Sequence, residues 1–348
     1  MLIIRMETEQ GDGLQQCADI IKNGGTVAFP TETVYGLGAN ALDVEAVKKI
    51  FEAKGRPGDN PLIVHVYCAE QIPKLVKSVP ESAKRLMQRF WPGPLTLIME
   101  KSDAVPYEVT AGLDTVAVRV PNNPVARQFL ELCGLPVAAP SANRSGRPSP
   151  TKASHVIEDL YGRIDAVIDG GSCDYGLEST VLDVSGEVPI LLRPGSVTYE
   201  QLCEVLGEVE IGEGVSEKPP EGVVPRSPGM KYTHYSPNAD VIVVSGQDEN
   251  VELYINHQIE KHHKLGHKVG VMVYQHVLPR ISGADVLLTL GDRNHRSNAA
   301  SVLFSHLRRF EQEGADVVFA QDCGEKGIGL AISNRLNKAA GYEIIELG

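Results

Sequence analysis

The sequence predicts an α/β protein with a twisted mixed sheet and packed helices in its N-terminal part and a smaller α/β domain in its C-terminal part. Three observations lead to this class. Short apolar runs alternate with amphipathic helical periods along most of the chain. Several predicted strands are joined by short turns, which favours a mixed sheet over a purely parallel one. Residues 208–238 are rich in Glu, Gly, Pro and Val, show no usable period, and separate the two parts.

A length of 348 residues favours two domains. We predict a first domain over 1–207, a linker over 208–238 and a second domain over 239–348. No apolar run approaches the roughly 20 residues of a membrane span, and the N-terminus lacks a signal-peptide pattern. Six scattered cysteines without a C-x-x-C pair predict reduced thiols in a cytoplasmic protein, with neither a zinc site nor a disulfide framework.

The net charge of the chain limits the class of ligand. A formal charge of −12 argues against a broad nucleic-acid-binding face. It does not exclude a local basic pocket, so the positions of the Lys and Arg residues carry more information than their number.

The predicted elements of the first domain follow the hydrophobic period. Pro30 ends the strand before it, and Pro124 opens a helix at a position that accepts proline. Strands are predicted over 26–29, 62–66, 95–99, 116–120, 137–139, 166–168, 180–184 and 190–192. Helices are predicted over 14–22, 43–54, 81–90, 124–133, 154–161 and 199–206.

The second domain shows strands alternating with helices, which predicts a small Rossmann-like parallel layer. Strands are predicted over 241–244, 269–273, 286–288, 317–319 and 344–345, and helices over 252–264, 299–313 and 331–339. Residues 327–331 lack the third glycine of a dinucleotide fingerprint and lie near the chain end with no βαβ unit expected after them, so we do not assign them a nucleotide. The linker ends in an aromatic segment, 228–237, which we expect to dock onto a domain.

The segment 29–38, FPTETVYGLG, concentrates hydroxyls and a carboxylate at the end of a predicted core strand, as small-molecule sites of α/β proteins do. On its own it fits a structural Thr-rich turn slightly better, with Gly36 and Gly38 serving the turn. Residues further along the chain shift the balance towards a site.

Four residues in the first domain could bind an anion or a polar ligand. Lys54 and Arg56 lie in a loop where an ammonium and a guanidinium can converge on phosphate. Lys54 alone would fit a basic helix end. His65 within an aliphatic strand is most often a core residue. Arg119 between valines must find an anion, either a protein carboxylate or a substrate carboxylate.

Three further segments repeat a pattern of small polar residues or arginine beside glycine at strand ends: 140–150, 176–181 and 192–195. Such turns suit phosphate or nucleotide contact. The chain contains neither a Walker A loop nor the G-x-S-x-G elbow of a serine hydrolase. Together with the cations, these segments favour an anionic ligand with several phosphates and a small polar co-substrate.

The motifs in their order resemble the threonylcarbamoyl-AMP synthases, in the longer form that carries a YrdC-type domain and a C-terminal domain. The matching segments are PTETVYGLG at 30–38, KGR at 54–56, NPL at 60–62 with His65, PSAN-x-SG at 140–146, EST at 178–180, RPG at 193–195 and HYSP at 234–237. The resemblance covers essentially the whole chain.

The resemblance implies a YrdC-like catalytic domain and a nucleotidyltransferase reaction. L-threonine, bicarbonate and ATP would give threonylcarbamoyl-AMP and pyrophosphate, and a separate transferase complex would use the product to modify adenosine in tRNA. Mg²⁺ would accompany ATP, with no protein metal site. The linker would close over the cleft as a lid. By the same resemblance, L-threonine would be held by Thr33, His65, Arg119, Ala139 and Ser179. ATP would be held by Arg56, Asn60, Thr115, Ser141, Ser149, Arg193 and Tyr235, and the catalytic residues would be Lys54 and Arg56.

Two alternatives belong to other classes. The first is a module that binds structured RNA or tRNA directly, against which the acidic net charge argues. The second is a carbamoyl-transfer domain of the kind found in hydrogenase-maturation proteins, but the acylphosphatase and zinc-finger portions expected there are absent from the sequence.

Overall fold

A computed structural model describes residues 1–6, 12–215, 235 and 237–348. The chain divides into two compact units. The first comprises Met1–Ser145 and Ser149–Val215, and the second comprises Gly146–Pro148 with Tyr235 and residues 237–348. Most of the predicted linker, 216–234 and 236, including the predicted lid segment and His234, lies outside the described residues.

The first unit is built on a mixed sheet, as predicted. Its strands are β1 (Leu2–Arg5), β2 (Val27–Phe29), β3 (Gly36–Asn40), β4 (Ile63–His65), β5 (Leu95–Glu100), β6 (Thr115–Arg119), β7 (Val137–Ala138), β8 (Ala166–Asp169), β9 (Thr180–Asp183), β10 (Ile190–Arg193) and β11 (Glu210–Ile211). Among the described residues their order is β1-β8-β2-β3-β7-β4-β6-β5-β9-β10-β11. Parallel pairs such as β4 with β6 alternate with antiparallel pairs such as β5 with β6.

Helices cover both faces of this sheet unequally. They are α1 (Asp12–Lys22), α2 (Val44–Lys54), α3 (Glu81–Phe90), α4 (Tyr107–Thr110), α5 (Pro124–Cys133), α6 (Ala153–Leu160) and α7 (Tyr199–Leu206). One face packs against α2, α3, α6 and α7 in the larger core. On the other face, α1 and α5 pack over β1, β2, β7 and β8. Among the described residues of the first unit, no helix packs on the rest of that second face.

The opening segment differs from its prediction. Gly36 and Gly38 do not form a turn but begin strand β3, which pairs antiparallel with β2 and β7. A Cβ on Gly38 would lie 2.7 Å from Val137 Cγ1 and 3.0 Å from Phe29 Cε1. The glycines are needed because this strand packs closely against neighbouring side chains. The turn itself is formed by residues 30–35.

The start of the predicted linker also differs from its prediction. Glu210–Ile211 forms strand β11, which pairs parallel with β10. Val209 and Val215 are buried. The first unit therefore extends beyond residue 207, because these valines complete its apolar packing.

The second unit carries the parallel Rossmann-like sheet that the sequence predicts. Its strands are β12 (Asp240–Ser245), β13 (Val269–Val273), β14 (Val286–Thr289), β15 (Val317–Gln321) and β16 (Ile344–Glu346), and its helices are α8 (Asp248–Lys264), α9 (Ser297–Gln312) and α10 (Ile328–Ala339). Among the described residues the order is β14-β13-β15-β12-β16, with every pair parallel. The Gly327 segment lies between β15 and α10, inside a β15–α10–β16 unit, and only α10 and β16 come after it, as expected. The missing third glycine still argues against a dinucleotide fingerprint.

None of the helices among the described residues combines the length and the apolar character that crossing a bilayer requires.

Candidate active site

The sheet face left uncovered by α1 and α5 carries a small apolar cluster of its own, spread over β4, β5, β6, β9 and β10. Its buried members are Ile63, Ile98, Ala117, Val181 and Leu192, and no helix residue of the described chain belongs to it. His65 and Arg119 lie directly opposite each other in the parallel pair β4 and β6. They share a face with Ile63 and Ala117 because side chains alternate along a strand. The cluster therefore forms the floor beside these two polar residues.

Arg119 is buried, with 3% of its side chain exposed, and its guanidinium is held from three sides. Nε donates to Gly93 O at 3.1 Å, and Nη1 donates to Thr33 Oγ1 at 2.8 Å. Nη2 lies 2.7 Å from Oε1 of Glu32, an ion pair with a carboxylate that is 4% exposed. The sequence left open whether the partner of Arg119 is a protein or a substrate carboxylate. The structure supplies a protein carboxylate.

Thr33 lies in the turn that joins β2 to β3, and this turn brings its hydroxyl to Arg119. Thr31 Oγ1 donates to Val34 O at 2.6 Å, so the 2.8 Å contact between the Thr31 and Thr33 hydroxyls uses the proton of Thr33. Thr33 Oγ1 thus donates to Thr31 and accepts from Arg119. A hydroxyl oxygen has two acceptor positions, which leaves Thr33 able to accept one more hydrogen bond.

Ser179 is predicted to bind L-threonine, and it contacts Arg193, which is predicted to bind ATP. Its Oγ lies 2.8 Å from Thr96 Oγ1 and accepts from Arg193 Nη2 at 3.1 Å. Arg193 Nε also donates to Ser179 O at 3.0 Å. Directly before it, Glu178 accepts a hydrogen bond from Ser149 Oγ at 2.5 Å. Hydrogen bonds therefore join Arg193 to Ser179, and Ser149 to Glu178, the residue next to Ser179.

The basic loop after α2 is tied to the serine-rich loop 140–150. Lys54 is 4% exposed, and its Nζ donates to Ser141 O at 2.5 Å and to Asn143 O at 2.7 Å. Burial, and then the charge of Arg56, lower the pKa of Lys54. Lys54 is the last residue of α2, but its inward contacts make it more than a surface helix end.

Arg56 and Asn60 lie on the same loop and contact each other. Arg56 Nη2 donates to Asn60 O at 3.2 Å, and both side chains are buried. The left-handed backbone of Gly55, φ 62°, ends α2 and turns the chain towards this contact. The contact places the Arg56 guanidinium, a group suited to pairing with phosphate, against the backbone carbonyl of Asn60.

Burial favours the neutral form of His65 in the folded protein. Burial, and then the charge of Arg119, lower its pKa to about 3. The ring meets Phe29 edge-on with 5.8 Å between centroids. A neutral imidazole beside a buried arginine can take part in hydrogen bonds without adding a second cation to the site.

Three further predicted residues, Thr115, Ala139 and Tyr235, take part in none of the contacts above. Thr115 shares the face of Arg119 but lies at the other end of β6, about 13 Å away along the strand. Ala139 donates its backbone N–H to Ile63 O at 2.8 Å, which fixes it beside β4. Tyr235 lies in the second unit with its ring 4.9 Å from that of Phe304.

Sequence reasoning missed four residues of the networks: Thr31, Glu32, Thr96 and Glu178. The first two lie inside the opening motif, where the concentration of polar side chains was the available signal. Glu178 adjoins Ser179 in a quoted motif. Thr96 gave no signal, because one threonine in an apolar strand is ordinary. No group of three or more metal-ligating side chains occurs in the described parts of the chain.

Comparison with known proteins gives matches along both units. The family model described as "Telomere recombination" (Sua5_yciO_yrdC) matches residues 19–195, and the model described as "Threonylcarbamoyl-AMP synthase, C-terminal domain" matches residues 197–341. The threonylcarbamoyl-AMP synthase of Pyrococcus abyssi is 51% identical over 333 residues, covering 95% of this chain and 94% of that protein. The Bacillus subtilis protein of the same name is 47% identical with the same coverage. The crystal structure of P. abyssi Sua5 complexed with L-threonine is similar with a TM-score of 0.93 at 48% identity, covering 100% of this chain and 99% of that chain.

Proposed function

Because the chain belongs to the threonylcarbamoyl-AMP synthase family, we propose that its first unit binds L-threonine and ATP on the uncovered sheet face and joins them as threonylcarbamoyl-AMP. The enzyme is then a nucleotidyltransferase that uses bicarbonate as third substrate and releases pyrophosphate. One contact carries the proposal. Ser179, which we propose binds L-threonine, accepts a hydrogen bond at 3.1 Å from Arg193, which we propose binds the nucleotide. Two ligands held on either side of this contact would lie next to each other.

On the threonine side, we assign the substrate carboxylate to Arg119 and the substrate hydroxyl to Thr33. Arg119 is fixed by Gly93 O and Thr33 Oγ1, so its guanidinium is oriented before substrate arrives. Thr33 retains one acceptor position, which suits a hydroxyl donor. His65, the backbone of Ala139 and Ser179 complete this set.

On the nucleotide side, the proposed residues are Arg56, Asn60, Thr115, Ser141, Ser149, Arg193 and Tyr235. Thr115 and Arg119 lie about 13 Å apart on one face of β6, a separation that an extended nucleotide could span. Mg²⁺ enters as the partner of ATP, bound through the phosphates, since such ions usually use few protein ligands. The lid stays a prediction for the part of the linker after Val215.

The reaction needs orientation and charge neutralisation more than a covalent nucleophile. The threonine nitrogen takes up carbon dioxide as a carbamate, a carbamate oxygen attacks the α-phosphorus of ATP in line, and pyrophosphate leaves. Arg56 and Arg193 can neutralise developing phosphate charge. Lys54 acts from the position where it holds the serine-rich loop.

We place the enzyme in the cytoplasm, where its product would pass to the complex that modifies tRNA. Six free cysteines support a reducing compartment. The net charge of −12 argues against tight RNA binding by this chain, which supports the proposal that a separate complex binds the tRNA.

A pyrophosphate-release assay tests the proposal. The purified full chain should release pyrophosphate from ATP only when L-threonine and bicarbonate are both present. Release that continues at the same rate after threonine is omitted would refute it. Strongly salt-dependent tRNA binding without ATP consumption would support the RNA-binding alternative instead.

A further inference from the structure

The buried carboxylate of Glu32 has no role in the assignments above. Its side chain is 4% exposed, and its Oε1 lies 2.7 Å from Nη2 of Arg119. Neither oxygen makes a hydrogen bond in the described parts of the chain, so the contact is a pairing of charges. Its carboxylate faces the guanidinium that we assign to the substrate carboxylate. It can therefore act on the site through Arg119.

The orientation of Arg119 does not depend on Glu32 alone. Nε is held by Gly93 O at 3.1 Å and Nη1 by Thr33 Oγ1 at 2.8 Å, and both bonds would survive the loss of the Glu32 charge. Among the described residues that contact the guanidinium, only Glu32 supplies a compensating negative charge. The other described contacts are to uncharged oxygens.

We propose that Glu32 is the internal counter-ion of Arg119 and sets the affinity of the site for the amino-acid carboxylate. This inference rests on the proposed function, in which Arg119 pairs with the threonine carboxylate. In the empty site, Glu32 compensates a buried cation that would otherwise be costly. In the occupied site, Glu32 is a second anion beside the substrate carboxylate and repels it. Glu32 thus stabilises the empty enzyme, weakens threonine binding and disfavours non-specific anions.

The sign of the consequence distinguishes this role from others. Removing the charge with Glu32→Gln should destabilise the free protein but strengthen threonine binding by about ten-fold or more. A residue that only supports the fold would change stability and leave threonine affinity unchanged. A residue that binds the substrate ammonium directly would lower threonine affinity when removed.

The test measures thermal unfolding and threonine affinity by calorimetry on the full chain. Wild type, Glu32→Gln and Asp183→Asn are compared, the last removing another buried carboxylate, on β9. We expect a lower melting temperature for Glu32→Gln, and tighter threonine binding for Glu32→Gln but not for Asp183→Asn. Acetate should stabilise Glu32→Gln and not wild type, whereas threoninol, which lacks the carboxylate, should show no gain in affinity.

The outcomes separate the two claims. Absence of threonine binding by wild type would overturn the proposed function. Binding by wild type with equal or weaker affinity in Glu32→Gln would overturn the counter-ion role alone. If Glu32→Gln does not fold, Glu32→Asp decides, because a shorter carboxylate compensates Arg119 less closely. We expect at least a three-fold gain for Glu32→Asp, and unchanged or lower affinity would overturn the inference.

Discussion

Replacing Arg119 with alanine should impair the use of threonine far more than the use of ATP. The guanidinium is the proposed partner of the threonine carboxylate, and a hydrogen bond to a charged group contributes about 1.5–3 kcal/mol. Its loss corresponds to a rise of roughly 10- to 150-fold in the KM for threonine. The KM for ATP should change less than about three-fold, because the proposed nucleotide contacts are made by other side chains.

The same substitution should also lower stability. Removing Arg119 leaves the carboxylate of Glu32 buried without its cation, and breaking a buried pair in this way costs roughly 3–5 kcal/mol. Thermal unfolding therefore has to be measured first, and kinetics run well below the melting temperature of the variant.

The assay is pyrophosphate release with threonine or ATP varied in turn at saturating levels of the other substrates. Arg127→Ala is the matched control, since Arg127 is exposed on α5 and should leave both constants unchanged. Equal increases in the two KM values for Arg119→Ala, with the protein folded, would refute the carboxylate role.

Three further predictions concern pH, packing and the basic loop. The folded-state pKa of His65 is lowered from 6.5 to about 3, so the free energy of unfolding should fall by roughly 1.4 kcal/mol per pH unit as pH drops from 6.5 towards 3. His65→Asn should remove this slope in urea titrations, and parallel slopes for variant and wild type would contradict the prediction. Gly38→Ala should lower the free energy of unfolding by about 1–3 kcal/mol, because the new Cβ has no room. Gly58→Ala should be near neutral, because the nearest atom to its Cβ would be 3.8 Å away. Equal denaturation midpoints for the two variants would count against the packing argument. Lys54→Met should raise the KM for ATP by about ten-fold or more, because it loses the contacts with the serine-rich loop. The control Lys48→Met, at an exposed lysine, should leave this KM unchanged. An unchanged KM for ATP in both variants would show that Lys54 has no role in ATP binding.

The hydrophobic period predicted most strands and helices, because apolar side chains repeat where an element faces a core. The helices Glu81–Phe90 and Pro124–Cys133 match their predicted bounds. Strand β3 was missed because two glycines in five residues suggest a turn, and only the neighbouring Phe29 and Val137 explain why they occupy a strand. That explanation requires the tertiary structure.

The candidate site was predicted as a set of residues but not as a network. The polar motifs pointed to Thr33, Arg119 and Ser179 individually. Sequence alone could not pair Arg119 with Glu32, because the two residues are 87 positions apart and come into contact only in the folded protein, through the turn at 30–35. The chemistry of the pair, a buried charge and its counter-ion, depends on that meeting.

The most direct test of the central claim is detection of the product by mass spectrometry. The full chain, incubated with ATP, Mg²⁺, L-threonine and carbon-13 bicarbonate, should form threonylcarbamoyl-AMP carrying one labelled carbon, and omission of threonine should abolish it. Pyrophosphate release accompanied only by AMP, with no labelled adenylate even after rapid quenching, would contradict the account.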